Sequence, residues 1–143
     1  MILVDANLLV YAYDAAAPEH PLASAWFERV MNRPARVGLP WPSLLAFVRL
    51  VSNASVVRTP VSPKTAWSAA EQWLARDNVW VPLPGPSHAE LIGTLLDDVR
   101  IPTRMVPDAH LAALAIEHGL TLCSTDGDFA RFRGLRWENP LAA

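Results

Sequence analysis

Two rhythms of apolar residues run through this chain. Short apolar stretches at Ile2–Val4, 79–83 and 120–124, bounded by polar residues, proline or glycine, read as strands buried on both faces, and 36–40 and 135–137 add a second strand and a last edge strand. Between them apolar residues recur every three or four positions, the spacing of one face of a helix. A first helix begins near Leu8. Residues 22–31 carry Trp26, Phe27 and Val30. A helix started by Pro42-Ser43 carries Leu44, Phe47, Val48 and Val51, with Ala46, Arg49 and Asn53 on its opposite face. Residues 65–76 turn Trp67, Ala70, Trp73 and Leu74 inward, and Leu91, Leu95 and Leu96 continue a helix that Ser87 and Glu90 start with capping-box spacing. Pro107 opens the most apolar helix, 108–118, which is apolar around most of its circumference and must be buried; Gly119 ends it as a left-handed cap.

Strands alternating with helices imply a parallel sheet, because parallel neighbours need right-handed crossovers that helices usually supply. The expected fold is a three-layer α/β/α sandwich over one domain, residues 1–143. Hydrophobic residues at 52% and charged residues at 18% describe a globular chain. No apolar run nears the roughly 20 residues that cross a bilayer, and no signal-like segment opens the chain, so a cytoplasmic protein without a membrane partner is expected. The lone Cys123 cannot form an intrachain disulfide or a cysteine zinc site and should pack as a small apolar residue.

A net charge of −2 leaves no global basic footprint for nucleic acid. Eleven arginines against the single Lys64 suit bidentate phosphate contacts, although GC-rich coding produces the same bias.

The candidate chemistry lies in the aspartates. Asp5 and Asp126 each follow a strand, and Asp108 sits in the first turn of the buried helix. In a parallel sheet all three can meet at the carboxyl edge, where ligand sites of open α/β folds collect. Crowded carboxylates raise one another's pKa unless a cation sits among them, and Asp5, Asp108, Asp126 and Asp128 with Asn7 form an oxygen-only set suited to Mg²⁺. The plainer alternative is a set of unrelated caps and turns: Asp5 or Asn7 capping the first helix, and Asp126-Gly127 making an ordinary turn. His20, His88, His110 and His118 are scattered, and His88 and His110 read as structural.

Three motifs carry a family resemblance: the opening hydrophobic-Asp5-Ala-Asn7-Leu-Leu-Val-Tyr-Ala, Pro107-Asp108-Ala-His-Leu-Ala-Ala-Leu-Ala, and Ser124-Thr-Asp126-Gly-Asp128-Phe-Ala-Arg-Phe-Arg-Gly-Leu. In this order along the whole chain they resemble the PIN-domain ribonucleases, specifically the VapC-type toxins of bacterial toxin–antitoxin pairs. The resemblance implies an α/β/α fold, Mg²⁺- or Mn²⁺-dependent endoribonuclease activity on RNA, and a VapB-type antitoxin. It makes Asp5, Asp108 and Asp126 the metal-holding catalytic acids, Asp128 an auxiliary catalytic acid, and Asn7 and Thr125 polar supports toward the substrate. The family usually carries a glutamate on the helix after the second strand; here Ala46 stands at that place.

The expected reaction is metal-assisted phosphodiester hydrolysis, with Arg49 first and Arg104 or Arg131 next as phosphate contacts. Six tryptophans in so apolar a domain suggest an exposed patch for a homodimer and an antitoxin helix. The rival reading is a catalytically weak member that binds antitoxin or RNA without cutting it, favoured by the missing glutamate and opposed by the four aspartates. A receiver-type signalling domain also clusters acids above a parallel sheet, but Lys64, the only lysine, lies in the middle loop.

Overall fold

The computed structural model describes residues 1–142, and its architecture follows from the burial of one strand. In β1 (Ile2–Val4) Leu3 and Val4 are fully buried, so both faces and both edges of the strand are covered. β2 (Val37–Gly38) and β4 (Thr121–Cys123) flank it, and β3 (Val79–Trp80) and β5 (Trp137–Glu138) form the edges, giving the order β3-β2-β1-β4-β5 with every pair parallel. Successive side chains of a strand point to opposite faces. Val4 and Cys123 therefore pack with α1 (Ala6–Tyr13), α2 (His20–Met31), α3 (Trp41–Val51) and α4 (Pro63–Leu74). Leu3 and Leu122 pack on the opposite face with α5 (His88–Leu96) and α6 (Val106–His118). The expected three-layer parallel fold is the observed one.

The centre of the first layer is Phe47, fully buried, with the Tyr13 ring edge-on at 5.4 Å and the Trp73 ring at 4.8 Å. Helix α6 is apolar on nearly all sides, as expected, and ends at Gly119 with φ +68°, a conformation that glycine adopts without the penalty a Cβ brings.

Several boundaries differ from the pattern, each for a local reason. Helix α1 starts at Ala6, because Asp5 is its cap. Helix α2 starts at His20, with Pro21 in its first turn, where proline's missing N–H costs nothing; the His20 ring nitrogen bonds the Tyr11 carbonyl at 2.8 Å and ties α2 to α1. Helix α4 starts at Pro63 because the Ser62 hydroxyl accepts from the Thr65 N–H at 3.1 Å. Strand β3 ends at Trp80, short of the expected 83; Pro82 has no N–H to continue a ladder. Ser87 makes no side-chain cap for α5. The Glu117 carboxylate reaches over from α6 instead and accepts from the Gly85 and Ser87 N–H groups, each at 2.8 Å. Trp67 is only half-buried and stacks on the exposed Trp41 at 6.1 Å.

Truncating Phe47 to alanine removes the contacts that join α1, α3 and α4. Phe47→Ala is expected to cost about 3–5 kcal/mol in a urea unfolding titration; a loss below about 1 kcal/mol would show that the layer repacks freely.

Candidate active site

The site is built where the two central strands end. The Asp5 N–H donates to the Cys123 carbonyl at 3.0 Å, which extends the β1–β4 ladder by one rung and sets Asp5 beside Ser124. Asp5 Oδ1 accepts from the Ala6 N–H at 2.8 Å, and Oδ2 accepts from the Ser124 hydroxyl at 2.7 Å. Ser124 is fully buried, and its Oγ also accepts from Asn7 Nδ2 at 3.1 Å and from the Asp126 N–H at 3.0 Å. One donor and two lone pairs are thus all used, and the hydroxyl fixes Asp5, Asn7 and Asp126 together. Capping and clustering are therefore not alternatives at Asp5: the same carboxylate does both. Asp126 likewise caps the 3-10 turn Gly127–Arg131, accepting from the Asp128 N–H at 2.9 Å.

Asp108 enters from the first turn of α6, which a 3-10 turn at Thr103–Met105 leads into. Burial pushes its pKa up to about 6, and the negative charges of Asp5, Asp126 and Asp128 push the same way. Burial also raises Asp5, against its bonds from Ser124 and Ala6 and with the charge of Asp126. Asp108 therefore stands in the field of the other three acids, and Asp5 in that of Asp126. Asp128 differs from the rest: Arg104 Nη1 meets its Oδ2 at 2.5 Å and Arg131 Nε stands 3.5 Å from Oδ1, and the Arg104 hydrogen bond holds its carboxyl below the usual range.

Of the expected substrate contacts, Asn7 joins Asp5 through the Ser124 hydroxyl. Thr125 follows Ser124 and is half-buried, with no side-chain hydrogen bond among the described residues. Arg49 is exposed on α3 and likewise unpaired among the described residues; Arg104 and Arg131, ranked behind it, are the cations that touch an acid. Ala46 is half-buried on α3. Cys123 is buried, and burial pushes its thiol up to about 12, so it is inert packing. His88 Nε2 meets His110 Nδ1 at 3.0 Å, joining α5 to α6.

Ser124 is the residue that sequence reasoning passed over. Its signal was its place, the last residue of an apolar strand directly before Thr-Asp-Gly-Asp.

The donor set fits a hard divalent cation. It is oxygen-only, it carries excess negative charge, and Asn7 Oδ1 is a buried acceptor with no partner. Among the described residues no three of these side chains are drawn into a closed metal shell, an arrangement compatible with an ion such as Mg²⁺ that keeps several waters.

A raised acid favours its protonated form in the folded state, so metal-free folding loses stability as pH rises from Asp108's unfolded value near 3.8 through about 6. Asp108→Asn should therefore stabilise the metal-free chain at pH 7, by on the order of 1 kcal/mol once solvent screening of this half-exposed group is allowed for, and the gain should vanish at pH 4. Thermal melts of both forms in chelator at the two pH values check this; equal shifts at both would deny the burial and crowding at Asp108.

The fold and the acids bear comparison with known proteins. The PIN domain family profile matches residues 2–135. Ribonuclease VapC43 of Mycobacterium tuberculosis is 41% identical over 141 residues, covering 99% of this chain and 96% of that one. Among solved structures, Mycobacterium tuberculosis VapC20, described as a sarcin–ricin loop cleaving toxin, superposes with a TM-score of 0.68 at 21% identity, covering 95% of this chain and 99% of that one. VapBC-1 from nontypeable Haemophilus influenzae gives a TM-score of 0.70 at 16% identity, covering 99% and 100%. With a family profile spanning nearly its whole length and a ribonuclease above 40% identity matched over almost the full length of both chains, this chain belongs to the PIN-domain family, in its VapC ribonuclease branch.

Proposed function

We propose that this chain is a metal-dependent endoribonuclease that hydrolyses RNA phosphodiester bonds as the toxin of a toxin–antitoxin pair, with Asp5, Asp108 and Asp126 holding Mg²⁺ or Mn²⁺. The observation that supports this most is the buried Ser124 hydroxyl, which binds Asp5, Asn7 and the Asp126 backbone at once and so locks two acids of different strands into one site. When bound, the ion supplies Lewis acidity at the scissile phosphate and lowers the pKa of an attacking water.

The chain's own groups do the rest. Asp108 holds a proton more tightly than an ordinary carboxylate and would have to be ionised to hold the ion, so metal affinity would fall as pH drops below about 6. Asn7 Oδ1, buried and without a hydrogen-bond partner among the described residues, could accept from a water or lend a lone pair to the ion. Arg104 and Arg131, both substantially exposed, offer guanidinium N–H groups to RNA phosphates at the rim, with Arg49 and Thr125 extending the track. These local arginines offset the unhelpful net charge of −2.

A VapB-type antitoxin and a second copy of the chain are the proposed partners. The VapBC-1 likeness supports the first, and exposed Leu22, Trp41, Leu45 and Val106 supply apolar surface for such contacts. Acting on RNA, it would work in the cytoplasm. No helix among the described residues is long and apolar enough to cross a membrane.

The second reading, a binder that cuts poorly, rests on Ala46 standing where the family has a glutamate. Cleavage of a total-RNA substrate in Mg²⁺ separates the two. The parent is expected to cut, and Asp5→Asn or Asp108→Asn to lose more than about 100-fold, beyond what losing an outer-sphere partner costs. A parent that binds RNA without cutting it would move the assignment to the second reading, and variants as fast as the parent would sink the site. Ala46→Glu should lower the metal concentration that gives half-maximal cleavage, because a further carboxylate adds charge the ion uses. Superimposable metal titrations, with the fold intact by circular dichroism, would mean that this position lies outside the ion's reach.

A further inference from the structure

Asp128 carries the acid-site charge differently from its neighbours. Its two oxygens face Arg104 and Arg131, one each. Arg104, 61% exposed, has a choice of partners. Asp108 lies four residues after it on almost continuous helical backbone, a spacing at which opposite charges pair. The charges of Asp108 and Asp126 both already act on its guanidinium. An arginine that swung onto either acid would neutralise a carboxylate needed by a cation and would block the approach from the rim.

We propose that Asp128 is a positioning residue that keeps Arg104 off the metal-holding acids, drawing its guanidinium outward to the rim where an RNA phosphate can take it. Resting on the metal-dependent reading above, this gives Asp128 a role distinct from that of a metal-holding acid. Helix polarity assists the arrangement: a cation in the first turn before α6 is unfavourable, so Arg104 leaves that end readily when a carboxylate outside the helix accepts it. Arg131, three residues from Asp128 in the same 3-10 segment, closes the other oxygen and completes a two-arginine rim.

The two roles for Asp128 predict opposite coupling. If Asp128 restrains Arg104, Asp128→Asn frees the arginine to compete with the ion, and Mn²⁺ binding weakens by about two- to fivefold, the reach of an exposed ion pair. Removing the competitor as well, in the Asp128→Asn, Arg104→Gln double variant, should then restore Mn²⁺ affinity to that of Arg104→Gln alone. If Asp128 is instead a metal ligand, Asp128→Asn weakens Mn²⁺ in both backgrounds, and more so with Arg104→Gln, where the carboxylate would otherwise be free. Isothermal titration calorimetry of Mn²⁺ into the four full-length chains without RNA reads this directly, with circular dichroism melts to show that each is folded. Restoration supports the proposal; equal or larger loss in the Arg104→Gln background overturns it. A parent chain that binds no Mn²⁺ would overturn both this proposal and the metal-dependent reading, whereas Mn²⁺ binding with the wrong coupling overturns this proposal alone.

Discussion

The hydrogen bond from the Ser124 hydroxyl to Asp5 is where fold and chemistry meet. It exists because β1 and β4 lie side by side and parallel, so that their carboxyl ends stop at the same level and Asp5 falls opposite Ser124. That pairing depends in turn on helices covering both faces, since three-residue strands contribute few ladder bonds and are held by packing. A buried hydroxyl with every capacity used costs little; one left unpaired would cost about 1–3 kcal/mol, so the bond and the strand pairing specify each other.

Charge is managed by distance from this point. Asp5, at the centre, is buried and held by hydrogen bonds; Asp108, without them among the described residues, answers its burial, and after that the crowding, with a pKa near 6. Asp128, at the rim, is neutralised by arginines. Acidic pressure therefore rises inward, the direction a cation would follow, while cations of the protein itself stay outside. On the proposed reading, a chain of net charge −2 would in this way turn positive groups toward an RNA backbone and negative groups toward a metal at one edge of the sheet.

Much of this was legible beforehand because the decisive signals are local. Apolar runs ending in Asp5 and in Ser124-Thr-Asp126, and a helix apolar on all sides, leave few ways to fold. What escaped was non-local. Glu117 caps the start of α5 from another helix, a contact that no spacing around Ser87 and Glu90 could reveal, and the local capping box lost to it. Ser124 reads as the end of a strand until its partner strand is known. The order of the arginines was also invisible: Arg49 lies on the helix face that carries Ala46, yet it is Arg104 and Arg131, separated by 27 residues of sequence, that close on one carboxylate.

The absent glutamate gains meaning from this layout. Helix α3 stands on the same sheet face as α1, with Phe47 turned into the core and Ala46 beside it only half-buried. On the proposed reading, a carboxylate there would add a fifth acid to a set in which burial and crowding already raise Asp108. Without it, four acids and two rim arginines leave a net charge of about −2, which one divalent cation would balance. On the proposed metal-dependent reading this composition suits a single ion, and the disposition of Arg104, a unit charge that already feels Asp108 and Asp126, would set how much of the acids' charge that ion meets.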